Sequence, residues 1–174
     1  MRPIDRVYQV AYIVDDLEAA ALRWIGEGGA GPFTIFRHFK LIEPRTAEGL
    51  AVPDFSFALG FSGVVNIELI QVHSYGPSVY NLPGFGRPPY PHHVARLTND
   101  IEATVARYEK IGCPLLLGGG FEPKSSLAYM DTRNRLGCIT EFIQVNPQVV
   151  EILNGLEAQA ASWDGKDPLR EFGG

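Results

Sequence analysis

The chain has 174 residues, of which 45% are hydrophobic and 20% charged, with a formal net charge of −5. That is the size of one compact domain or of two small fused modules, with enough apolar material for a core. The acidic balance argues against a nucleic-acid-binding domain, which carries a basic face, and no apolar run is long enough to span a membrane.

The N-terminal run Val7 to Val14 is rich in β-branched and aromatic residues and reads as a strand. It is broken by Gln9, ends in Asp15-Asp16 and lacks a small-residue cleavage site, so no targeting segment is expected and the cytoplasm is the expected location. A helix follows, with Asp15 as its expected cap and Glu18 completing a capping box. Leu17, Ala20, Ala21 and Trp24 recur at helical spacing, and Gly28-Gly29 ends the helix. Gly26 to Gly31 matches G-x-G-x-x-G, but it follows a helix and leads into Pro32. A dinucleotide fingerprint must follow a strand and open a helix, so this is a loop.

Pro32 to Leu41 reads as a strand, Glu43 to Pro53 as a loop, and Phe55 to Phe61 and Val64 to Val72 as two further strands joined at Ser62-Gly63. His73 to Tyr90 carries four prolines and three glycines and reads as a long linker. His92 to Thr98 is again a strand, followed by a helix with Asn99 as its expected cap and Ile101, Val105, Tyr108 and Ile111 as its buried stripe. Cys113 to Leu117, Ser126 to Asp131 and Cys138 to Val145 read as strands, separated by Gly118-Gly119-Gly120 and Arg133-Asn134-Arg135. A last helix runs from Pro147 to about Ala161, and the tail from Trp163 reads as irregular. Cys113 and Cys138 form no C-x-x-C pair and sit beside apolar residues, so each reads as a small buried hydrophobe.

The two halves repeat at an offset of 84 residues. Gln9 falls on His93, Val10 on Val94, Ala11 on Ala95, Asp16 on Asp100, Glu18 on Glu102, Arg23 on Arg107 and Gly28 on Gly112. A second echo pairs Glu68-Leu69-Ile70-Gln71-Val72 with Glu141-Phe142-Ile143-Gln144-Val145. One β-α-β-β-β unit is therefore used twice, with a polar ligand type near each start (Gln9, His93) and a carboxylate near each end (Glu68, Glu141). A buried Glu in an apolar strand is costly unless paired or metal-bound, and here two stand at repeated positions. Strand alternation puts Asn66, Ile70 and Val72 on the face of Glu68, with Gln71 and His73 opposite, and puts His92 on the face opposite His93.

This duplicated unit resembles the vicinal oxygen chelate superfamily, the group of glyoxalase I, methylmalonyl-CoA epimerase, bleomycin-resistance proteins and extradiol dioxygenases. The resemblance covers residues 6–146 in layout and is carried by His92-His93-Val94-Ala95, Asn66-Ile67-Glu68-Leu69-Ile70 and Ile139-Thr140-Glu141-Phe142. It implies an α+β fold of two tandem βαβββ modules, residues 6–73 and 92–146, forming a cup-like curved mixed sheet. The linker is then 74–91, and a C-terminal helix and tail occupy 147–174. It also implies Gln9, Glu68, His93 and Glu141 as metal ligands, Glu141 and then Glu68 as catalytic base, and a homodimer.

Three oxygen donors and one imidazole suit a divalent Zn, Ni, Co, Mn or Fe ion. Such an ion can hold two adjacent substrate oxygens while a carboxylate moves a proton beside the carbonyl. The expected function is a metal-dependent isomerase, epimerase or lyase acting on a small-molecule thioester, acyl-CoA or hemithioacetal. The alternatives are a bleomycin-resistance-like binding protein and an Fe(II) extradiol dioxygenase, against which Gln9 counts because that chemistry uses two His and one carboxylate. Arg37, His38, Lys40 and Arg45 form one basic cluster that could meet an anionic substrate group, and Lys124, Arg133 and Arg135 another. Phe33, Phe36, Phe39, Phe55 and Phe57 read chiefly as core, and Tyr80 and Tyr129 as polar handles.

Overall fold

Alternating β-branched and aromatic residues build the first strand of a computed structural model that describes residues 4–173. The first half runs β1 (Val7–Ile13), α1 (Leu17–Glu27), β2 (Phe33–Phe36), β3 (Ile42–Thr46), β4 (Phe55–Ser62) and β5 (Val65–Val72). A single 3₁₀ turn, Val79–Asn81, lies in the linker. The second half runs β6 (Tyr90–Thr98), α2 (Ile101–Lys110), β7 (Leu115–Phe121), β8 (Ser125–Met130), α3 (Arg133–Leu136) and β9 (Ile139–Gln144). Helix α4 (Pro147–Ala161) and β10 (Leu169–Glu171) complete the chain.

The strands form one mixed ten-stranded sheet in the order β10-β2-β4-β5-β1-β6-β9-β8-β7-β3. The fold class is the α+β, cup-like sheet that the family resemblance implies. At its centre β1 and β6 run antiparallel, with Val10 opposite Val94, Gln9 opposite Ala95 and Ala11 opposite His93. Repeat-equivalent residues thus exchange places about the Val10–Val94 pair, which marks a local pseudo-two-fold axis. Each central strand then pairs in parallel with the last strand of its own half, so that Ala11 meets Glu68 and Ala95 meets Glu141.

The second echo has a physical basis on both faces of the sheet. Ile67 and Leu69 pack on Leu17, Ala20 and Ala21 of α1, and Phe142 packs on Ile101 and Val105 of α2. The opposite face carries Ile70, Phe55, Phe57, Leu127, Tyr129 and Ile139. Gln71, on the helix side, accepts a hydrogen bond from the first amide of α1 at 3.4 Å, and Gln144 accepts one from the first amide of α2 at 2.9 Å. The caps themselves are Asp16, accepting from the Ala19 amide at 2.8 Å, and Asp100, accepting from the Ala103 amide at 3.0 Å. The expected caps Asp15 and Asn99 therefore shift by one residue, to the pair that the repeat aligns. Ile111 leaves the expected stripe because α2 ends before it, and it is exposed.

Other expectations change as well. The strand expected over 32–41 stops at Phe36, and residues 43–46 of the expected loop join Ile42 in β3, which pairs with β7 of the other half. Gly118-Gly119-Gly120, read as a separator, lies within β7 because β3 crosses it closely. A Cβ on Gly119 would stand 3.2 Å from the Ile42 carbonyl oxygen and 3.3 Å from the Pro44 Cα. The separator 133–135 is the short helix α3. The irregular tail instead adds β10, parallel to β2.

Strands β2 and β3 stand near opposite ends of the strand order, yet Arg37–Leu41 alone connect them. Five residues reach about 20 Å at full extension, so the sheet must curl until its two edges are near neighbours. Phe39 sits on this strap and touches Phe55 and Phe57 of β4 and Phe121 of β7. The cup thus closes within a single chain. Among the described residues no helix is long and apolar enough to cross a membrane.

Replacing either true cap should cost about 1 kcal/mol of stability. Urea denaturation of Asp16→Ala and Asp100→Ala is expected to show that loss, with Asp15→Ala and Asn99→Ala within about 0.5 kcal/mol of the parent.

Candidate metal centre

The two central strands each carry a β-bulge at repeat-equivalent positions. The pairing steps from Val7/Arg96 to Gln9/Ala95, which leaves Tyr8 as the extra residue of β1, and from Ala11/His93 to Tyr12/Pro91, which leaves His92 as the extra residue of β6. A bulge breaks the alternation of side chains and re-aims its neighbours. His92 therefore does not point away from His93 as strict alternation requires. It is buried, and its Nδ1 lies 2.9 Å from His93 Nδ1. Tyr8 joins Gln9 on the wall of the cup in the same way.

Glu68, His93 and Glu141 come together inside the cup, with ligand atoms all within 4.8 Å of one another and every residue buried. His93 Nε2 stands 3.2 Å from Glu68 Oε2 and 3.2 Å from Glu141 Oε2. Despite these distances His93 Nε2 and Glu68 Oε2 have no aligned hydrogen-bond partner, and neither has Gln9 Oε1. Buried polar atoms are rarely left in this condition outside functional sites or without a water or ion to meet them. All four sequence-expected ligands are thus in or beside one site, and Gln9, Glu68 and Glu141 line the same cavity.

The hydrogen-bond chemistry sets which atom each side chain offers. The Gly60 carbonyl can accept only, so Asn66 turns its Nδ2 to it at 3.0 Å. Asn66 Oδ1 must then accept from Gln9 Nε2, at 2.9 Å, which leaves the lone pairs of Gln9 Oε1 facing the site. A second chain acts on His93. The Val79 carbonyl accepts from His92 Nε2 at 2.9 Å, so that nitrogen carries hydrogen. Burial without a carboxylate partner keeps His92 neutral, with a pKa pushed down to about 3 by desolvation and then by neighbouring His93. His92 Nδ1 is therefore an acceptor, and His93 Nδ1 donates to it. When His93 is neutral, its lone pair lies on Nε2, facing the two carboxylates. His92 and Asn66 are thus positioning residues that residue type alone did not single out. The arrangement is of the kind that orients metal-bound imidazoles from behind.

Burial pushes the His93 pKa down, but contact with Glu141 and Glu68 outweighs it and raises the value to about 9. Burial raises Glu68 as well. Tyr80 and Tyr129, with hydroxyls 3.0 Å apart, are held far above the usual phenol range by burial and stay neutral. Without a metal, His93 is therefore an imidazolium between two carboxylates at neutral pH.

The remaining candidates divide. Phe36, Phe39, Phe55 and Phe57 line the cup, whereas Phe33 packs with α1 on the outer face. Arg37, His38 and Lys40 also reach the cup wall. Arg45 instead pairs with Glu102 at 2.8 Å, and Arg133 pairs with Asp131 at 2.8 Å, away from it. Helix α4 and the tail contribute Val149, Ile152, Leu153 and Phe172 to the wall, so the C-terminal segment shapes the pocket.

Imidazole ¹⁵N spectra of metal-free protein at pH 10, above the His93 pKa of about 9, are expected to show His93 protonated on Nδ1. His92→Phe removes the acceptor and should shift His93 toward the Nε2-protonated form.

Comparison with known proteins agrees with this architecture. At 15% identity and a TM-score of 0.57, the fold is similar to methylmalonyl-CoA epimerase from Mycobacterium tuberculosis, over 87% of this chain and 97% of that one. A hypothetical protein from Bacillus halodurans matches at 16% identity and a TM-score of 0.56, over 82% and 96%. A Streptomyces coelicolor methylmalonyl-CoA epimerase variant in complex with 2-nitronate-propionyl-CoA matches at 16% identity and a TM-score of 0.51, over 82% and 98%. No curated protein matches in sequence. Residues 8–129 match the model of the glyoxalase/bleomycin resistance protein/dioxygenase superfamily, and the chain belongs to that superfamily.

Proposed function

We propose that the chain is a metal-dependent epimerase or isomerase that moves a proton on the carbon beside a chelated carbonyl. The observation that carries this reading is the buried Glu68–His93–Glu141 cluster, with its unpartnered polar atoms, at the floor of an open cup. The similarity to epimerase structures supports the same branch of chemistry.

Gln9, Glu68, His93 and Glu141 are the residues that would hold the ion. Three oxygens and one imidazole suit Zn, Ni, Co, Mn or Fe(II). A bound ion supplies a template for two adjacent substrate oxygens and stabilises charge on the carbonyl oxygen. The chain's own part is to orient and to move the proton. His92 and Asn66 orient His93 and Gln9. Glu141 and Glu68 flank the site as the carboxylates that take a proton from the substrate carbon and return it. Burial raises the proton affinity of Glu68, which suits a group that must hold a proton between the two steps. Single-histidine ligation disfavours ring cleavage by iron, which uses two. The apolar cup favours one second reading, a binding protein that sequesters a hydrophobic molecule.

Metal analysis of untagged protein is expected to find about one divalent ion per chain, lost in His93→Ala and Glu141→Gln. On the metal-loaded protein, Glu141→Gln should slow solvent deuterium exchange into α-proton-bearing thioesters by about 100-fold or more. No uptake of any of the five ions would overturn the enzyme reading and leave the binding protein. The pH dependence has a definite sign. His93 carries a proton below about pH 9, and a metal must displace it. Affinity for the ion should therefore fall by roughly tenfold per pH unit as pH drops from 9 toward 6, with one proton released per ion bound.

A further inference from the structure

We infer that the substrate carries an uncharged, ring-bearing apolar body behind its chelating oxygens. The inference rests on the metal-chelate reading for the head of the substrate, and on the wall of the cup for the body. The cavity measures about 570 Å³ and reaches Glu68 and Glu141. A cavity of about 150 Å³ accommodates one benzene ring, so this one has room for roughly two to three rings beside a chelating head.

The wall is built for such a group. Phe36 stacks on Phe57 with centroids 4.6 Å apart and on Phe172 at 4.4 Å, and Phe39 meets Phe57 edge-on at 5.2 Å. These rings come from β2, β4, the strap and the C-terminal tail, so four separate segments supply phenyl groups to one surface. Helix α4 adds Ile152 and Leu153 to the lining.

Each basic side chain on the same wall already faces an acid. Arg37 donates to Glu171 at 2.9 Å and also to Glu18. His38 Nδ1 lies 2.9 Å from Asp54, and Lys40, which is 78% exposed, lies 3.9 Å from the same carboxylate. Glu122 adds a further negative charge to the wall. A short anionic acyl group would therefore meet an Arg37 already held by two carboxylates and a Lys40 turned out to solvent, and would lie against phenyl faces, which desolvate it without compensation. A ring would gain both burial and aromatic contact.

Hydroxamates test this, because each presents the same two adjacent oxygens on a variable body. The zinc-loaded protein is titrated calorimetrically with acetohydroxamate, benzohydroxamate, 2-naphthohydroxamate and the anionic malonate monohydroxamate. The affinity is expected to rise by about 100-fold or more from the acetyl to the naphthyl compound, with the malonate compound no tighter than the acetyl one. Phe57→Ala should remove most of that gain. Phe172→Ala, at a half-exposed position where folding is not at stake, should remove part of it while leaving acetohydroxamate unchanged. Equal affinities across the series, or a malonate compound that binds tightest, would overturn the inference. Metal-free protein is titrated in parallel with 2-naphthol. Saturable binding that Phe172→Ala weakens, with no hydroxamate binding to the loaded protein, would sustain the apolar pocket and overturn the metal-chelate reading alone.

Discussion

The antiparallel pairing of β1 with β6 about Val10 and Val94 is the constraint on which the rest depends. Because the two strands are repeat equivalents, whatever one half places near the axis the other half places there too. Parallel pairing to β5 and β9 then brings a glutamate beside each, through Ala11–Glu68 and Ala95–Glu141. Small alanines at these positions leave the space on the cup side to the carboxylates and to the imidazole. Two carboxylates buried together would repel, and the shared imidazolium offsets that repulsion in the metal-free protein. The same arrangement suits a divalent ion, whose charge does more than the proton it replaces.

The bulges at Tyr8 and His92 are the device by which an ordinary strand becomes a site. Without them, alternation would put His92 among the helices on the outer face. With them, it lies behind His93, pinned by the Val79 carbonyl of the linker turn. The linker is thus more than a tether. Val79 and Tyr80 are buried, Tyr80 bonds Tyr129, and the turn supplies the one carbonyl that orients both imidazoles. Asn66 performs the corresponding service for Gln9 from within β5.

The asymmetry of the molecule is as informative as its symmetry. Strand β3 leaves the first half to pair with β7, across the close approach that Gly119 allows. That exchange draws the edges of the sheet together and places Phe39 over the cup. The C-terminal segment has no counterpart in the repeat. Its helix and the segment around its last strand add Val149, Ile152, Leu153 and Phe172 to the lining and turn an open cup into a walled cavity.

The sequence by itself determined the repeat, both helices, the central strands and the glutamates at equivalent positions, because periodicity and local capping are properties of neighbouring residues. It also set apart Gln9, Glu68, His93 and Glu141, since buried polar residues in apolar strands stand out wherever they occur. The tertiary structure alone decided what depends on pairing between distant segments. A bulge exists only relative to a partner strand, so His92 could not be placed from alternation. Gly118 to Gly120 read as a separator, and only the close approach of β3 gives the missing side chain of Gly119 a purpose. Residues 42–46 and 169–171 lack strand periodicity, and they become strands through the free edges they meet. The phenylalanines looked like core because burial and pocket lining draw on the same residue type. Their division into wall and core follows from which face of a curved sheet each one occupies.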